Sequence, residues 1–149
     1  MVGDYVAGPA GLTETAHPGA RNADQAAFLL SAGGYQTTAD DMGKLFVALN
    51  KHAVIDPTVW QSMLTDERYR VDHYSLGSVI ETENDILTVG HSGGGARANI
   101  RYAPDERVGV MVCTDDRSNN SLAIHLARML IYEAISGEVA PLPSQARSK

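Results

Sequence analysis

The stretch GHSGGGARANIRYAP, Gly90 to Pro104, decides the fold of this chain. Its first five residues fit G-x-S-x-G, the strained strand-to-helix turn that exposes a nucleophilic serine. Such a turn requires a helix directly after the serine, because the helix N-terminus polarises the hydroxyl. Gly93, Gly94 and Gly95 are poor helix starters, and Arg97, Asn99 and Arg101 alternate with Ala98, Ile100 and Tyr102 at the period of a strand. A triad in the order Ser92, Asp115 or Asp116, His125 can be written, but three such residues recur by chance. A strand after Ser92 argues against the nucleophile elbow and leaves Ser92 as one wall of a site.

Working outward, YSLGSVIE, the turn Glu83-Asn84-Asp85 and ILTVGH read as strand, turn and strand. Pro104-Asp105-Glu106 is a turn, and VGVMVCT is a buried fourth strand that takes in Cys113. Together these segments, within 74–114, predict an antiparallel meander. Upstream, Thr38 caps a helix over 38–51, with Asp41 three residues on and Met42, Leu45, Phe46 and Leu49 on one apolar stripe. A second helix, 57–64, begins on Asp56 and Pro57, with Val59, Trp60, Met63 and Leu64 as its apolar face. Phe46 and Trp60 are expected in the core. TDER then exits into loop. The closing helix, 120–136, carries Ile124, Ala127, Ile131 and Ile135 and stops at Gly137. Residues 1–31 read as irregular, and 138–149 as a flexible tail.

At 149 residues the chain has the length of one domain, and 44% hydrophobic with 20% charged residues is ordinary globular composition. A formal charge of −6 argues against nucleic acid as partner. The single cysteine excludes an internal disulfide, and the scattered His17, His52, His73, His91 and His125 do not form a zinc pattern. No metal or cofactor is expected. No apolar run is long enough to span a membrane, so with Met1 as the true start the expectation is a cytoplasmic protein.

The segments AGGYQTTADDMGKLFVALN, YSLGS and GHSGGGARANIRYAPDERVGVMVCT, with the closing helix, resemble in order the C-terminal half of the class C β-lactamase-like serine hydrolases. That family includes DD-peptidases, D-aminopeptidases and esterases. The likeness covers about residues 32–136, and it implies an α+β fold with an antiparallel sheet of about four strands flanked by helices. It also implies acyl transfer through an acyl-enzyme, from a small β-lactam, D-amino-acid peptide or ester. In that family an S-x-x-K serine is the nucleophile and a Tyr-x-Asn tyrosine relays protons. Neither motif occurs in this sequence.

What matches is the third motif. His91 stands at the position held by lysine or histidine, Ser92 at the hydroxyl, and Gly93 at the glycine that lets substrate lie along the strand. The Gly94 N–H matches one oxyanion-hole donor. Asp115 stands where such proteins often carry asparagine. The resemblance therefore implies a chain inactive by itself, completed by an N-terminal partner chain, or else a non-catalytic relic or interaction module. Either would expose an apolar face open to a partner or to a second copy.

Overall fold

The computed structural model describes residues 2–16, 35–75, 77–93, 98–115 and 121–139. They fall into two compact units, Met1–Pro57 and Thr58–Lys149. The fold is α+β, as the sequence indicates, but its sheet has six strands instead of about four.

In the first unit, residues expected to be irregular begin with a π-helical turn, Gly3–Ala7, that runs into the short helix α1, Gly8–Ala10. Gly11, at φ 67°, ends it in the left-handed region that glycine enters without strain. Helix α2, Ala39–Asn50, starts where the capping signal places it, with Thr38 Oγ1 accepting from the Asp41 N–H at 3.2 Å. Its stripe buries Met42, Phe46 and Ala48.

Asp41 does more than occupy the first turn of α2. Its carboxylate is fully buried and accepts from the Thr13 N–H at 3.2 Å, the Glu14 N–H at 2.8 Å and Thr15 Oγ1 at 2.8 Å. A two-way bridge between Ala16 and Gln36 closes the same loop. Burial raises the Asp41 pKa, but the hydrogen bonds from Thr15, Glu14, Thr13 and Lys44 outweigh it and hold the carboxyl well below its usual range.

A depressed folded pKa gives stability that is fully present above the unfolded value, near 3.9, and lost as pH falls through the folded one. Asp41→Asn is therefore expected to lower Tm at pH 7 by about 5–10 °C. It should also flatten the fall of Tm between about pH 4 and pH 2. A variant whose Tm runs parallel to wild type through that range would show that Asp41 is not the titrating group.

The second unit is a meander in which β1 (Arg70–Val71), β2 (Tyr74–Ser75), β3 (Ser78–Glu83), β4 (Ile86–Gly93), β5 (Ala98–Ala103) and β6 (Val108–Cys113) pair antiparallel in sequence order. The run read as one strand, YSLGSVIE, is broken at Gly77, whose φ of 85° turns the chain and yields β2 and β3. The TDER segment, read as loop, contains a 3₁₀ turn, Glu67–Tyr69, capped by Asp66. Between β3 and β4, Asn84 and Asp85 have φ of 51° and 63°, and Glu83 pairs with Ile86. Two central residues with positive φ make the hairpin turn whose twist matches its strands.

Helices cover both faces of this sheet. Helix α4, Leu122–Ser136, buries Ala123, Ala127 and Ile131, spaced four apart, and Ile131 joins Ile86 and Ala103 in one core cluster. Ile124, expected on that stripe, is only half-buried, because the two alanines let α4 lie close to the sheet on the neighbouring face. Gly137 caps α4 in the left-handed region and donates to the Glu133 carbonyl at 2.9 Å.

On the opposite face lies α3, Pro57–Thr65. The half-buried Trp60 meets Tyr102 edge-on at 6.0 Å, and Ser75 Oγ donates to the Met63 carbonyl at 2.6 Å. Strand β6 is half-buried, not buried, and Cys113 is exposed, since an edge strand has a neighbour on one side only.

With both faces covered, the polar positions of β5 are buried. Asn99 is 0% and Arg101 3% exposed. Arg101 meets Glu81 at 3.2 Å, and Arg128 of α4 clamps the same carboxylate with two bonds of 2.8 Å. Burial pushes the Arg101 pKa down against the pull of Glu81.

Candidate functional site

Strand β4 ends in His91, Ser92 and Gly93, and the register carries that end across the sheet. Ser92 pairs with Asn99, Gly93 with Ala98, and Ala98 with Cys113. Asp115, exposed two residues past Cys113, therefore leaves β6 at the same end of the sheet as Gly93. Four of the five residues singled out from the sequence thus gather at one sheet end. Gly94 lies outside the described residues, so its role as an oxyanion donor stays an expectation.

The register also bears on the question raised by G-x-S-x-G. What resumes after Gly93 is β5, hydrogen-bonded back along β4. The elbow needs a helix there. Ser92 Oγ accepts from Asn99 Nδ2 at 2.8 Å, and among the described residues no base contacts it. His125, the third member of the triad sketch, lies on α4 and lines a cavity bounded by Glu83, Ile86 and Arg101. Activation of a serine for attack needs an adjacent base, whereas the Ser92 hydroxyl is held here as an acceptor. Its own hydrogen remains available to donate.

His91 is exposed beside it. Its Nδ1 lies 2.5 Å from the Ser92 carbonyl, which can only accept, so Nδ1 carries the proton. That leaves Nε2 as the acceptor facing Tyr74 Oη at 3.5 Å, with the two rings edge to face at 5.9 Å. The strand end thus presents an imidazole oriented by a backbone carbonyl and a phenol, and, one residue on along the alternating strand, a hydroxyl held by Asn99. Backbone and side-chain dipoles fixed on a rigid strand suit the stabilisation of charge developing on a substrate oxygen.

Tyr74 and Asn99 are additions that sequence reasoning did not supply. Asn99 was legible only as one polar position in an alternating strand. Its pairing with Ser92 depends on the register of β4 against β5. Tyr74 sits 17 positions from His91 and reaches it because β2 folds beside β3.

Among the described residues no cluster of three or more His, Cys, Asp or Glu side chains could hold a metal ion. No helix among them is long and apolar enough to cross a membrane.

Comparison with solved structures finds a penicillin binding protein from Bacillus halodurans, superposing with a TM-score of 0.62 at 22% identity. The likeness covers 87% of this chain and 48% of that one, so this chain spans about half the length of that protein. At such identity the likeness is one of fold. No curated protein matches the chain. The model of the beta-lactamase family, however, matches residues 1–132, taking in both the N-terminal stretch read as irregular and the whole of the β4–β5 hairpin. With that match over most of its length, on an antiparallel sheet flanked by helices, the chain belongs to the beta-lactamase family.

Proposed function

We propose that this chain supplies the substrate-side wall of an acyl-transfer site. The acyl donor would be a β-lactam, a D-amino-acid peptide or an ester, passing through an acyl-enzyme to water. In this reading Gly93 and Gly94 admit substrate along β4, the Gly94 N–H is one oxyanion donor, and Ser92 Oγ donates to the substrate. His91, with Tyr74 on its Nε2, orients or relays a proton, and Asp115 borders the pocket. The nucleophile belongs to residues that this chain does not contain, since its sequence has neither S-x-x-K nor Tyr-x-Asn. By itself the chain is inactive, and it works when joined to a nucleophile-bearing chain or segment.

The observation that carries this reading is the bond from Asn99 Nδ2 to Ser92 Oγ on an antiparallel strand. It supports a serine that donates over a serine that attacks.

The purified chain is expected to stay unlabelled by a fluorophosphonate and by a fluorescent penicillin. Mass-spectrometric labelling at Ser92 would overturn the proposal and revive the elbow. Adding an N-terminal chain that carries S-x-x-K should restore nitrocefin or p-nitrophenyl ester hydrolysis. In that complex, Ser92→Ala should lower kcat/KM by about 10²-fold. If no such partner restores turnover, the interaction-module reading takes its place.

A further inference from the structure

The two edges of the sheet are built differently. At one, β1 is two residues long and carries Arg70, and a short, charged edge offers little to pair with. At the other, β6 runs VGVMVC, Val108–Cys113, without a charge or a proline. Among the described residues no backbone group pairs with its outer side. Such an edge is a template for another strand.

Helix α4 adds to this edge. It packs on β5 and β6, and its Arg128 reaches inward to Glu81 and Glu83 of β3. Two residues along a helix turn about 200°, so Leu126 and Leu130 lie on the flank opposite Arg128, toward the open edge. Both are exposed, by 37% and 45%. The edge thus joins unpaired backbone groups to an apolar helix flank over a length of about 20 Å.

We propose that this edge pairs with a second copy of the chain, β6 against β6, about a two-fold axis normal to the sheet. An antiparallel pair of identical strands is disfavoured where like charges meet, and a strand without charges escapes that penalty. Both copies of α4 then lie on one face of the joined sheet, where their leucine flanks meet. The alternation of ladder bonds requires one residue to face its own copy. With Met111 on the axis, Arg107, just before β6, comes opposite Asp115, just after it, once on each side; both are exposed. Val110 on the axis would instead bring Asp105 against Asp115, so charge favours the first register. Edge and flank together offer on the order of 600 Å² per copy, the lower end for a specific interface, so the dimer is a weak one. This pairing does not depend on the acyl-transfer reading, and its test needs no activity.

Sedimentation equilibrium of the full chain is the test, with a reductant present so that Cys113 forms no disulfide. A monomer–dimer equilibrium with Kd on the order of 10–100 μM is expected, with no larger species, because a two-fold contact closes on itself. Amide exchange within Val108–Cys113 should slow by about fivefold between concentrations well below and well above that Kd. Leu126→Lys with Leu130→Lys changes two positions already open to water and should leave the circular dichroism unchanged. It should raise Kd at least about tenfold and remove the concentration dependence of β6 exchange. A chain monomeric throughout would overturn the proposal and leave the edge to a strand of some other protein. So would a dimer that the double variant does not weaken, or one in which β6 amides exchange equally fast at every concentration.

Discussion

Gly90→Ala is expected to destabilise the second unit by about 3 kcal/mol. A Cβ at Gly90 would lie 1.9 Å from the Ile100 carbonyl oxygen and 2.9 Å from its carbon. Both are backbone atoms of β5, so no rotamer change relieves the clash. Either β4 or β5 must move, and Gly90 pairs with Arg101 inside that ladder, with paired residues on either side. Gly93→Ala is the control, since nothing among the described residues lies within 4 Å of the added methyl. It should cost less than about 0.5 kcal/mol. Urea unfolding of the two variants side by side checks the claim, and equal midpoints would mean that the strands are not in this register. Since the same register places Asn99 against Ser92, the experiment also bears on the site.

Glu81→Gln should cost about 3 kcal/mol, although the side chains are nearly the same size. Glu81 is the shared counter-charge of Arg101 and Arg128. Arg128 is 35% exposed and retains water and Glu83, but Arg101 is 3% exposed and among the described residues has no other carboxylate in contact. The penalty is therefore that of a buried cation left without its anion, more than that of a lost hydrogen bond. Glu81→Leu with Arg101→Met together should recover at least about 1 kcal/mol relative to Glu81→Gln alone, because removing both charges leaves nothing unpaired. Thermal and chemical unfolding of the three proteins measures this directly. A double variant less stable than the single one would place the cost in packing instead.

Much of this architecture can be read from residue order. The cap at Thr38, the turn at Asn84-Asp85 and the stop at Gly137 are local signals, and each works through atoms within a few residues. The change from period 3.6 to period 2 after Tyr74 announces a meander, and the strand that follows Ser92 speaks against an elbow. What misled was burial. Asn99, Arg101 and Glu81 look like the wet face of a two-layer sheet, yet they are covered, because α4 packs on one face while α3 packs on the other. Ile124 and Ala123 exchange places for a related reason: how near a helix lies to a sheet depends on the small residues at the contact, and the stripe alone does not show it.

The sequence by itself determined the order of the elements and the family resemblance, and it singled out His91, Ser92 and Gly93 as candidates. Those depend on residue type and spacing along the chain. Only the tertiary structure decided what Ser92 touches, that Tyr74 reaches His91, and that two arginines converge on one glutamate beneath α4. Each of those is a contact between strands or between strand and helix. It depends on register and on which face a neighbour covers, and neither is written in any single segment.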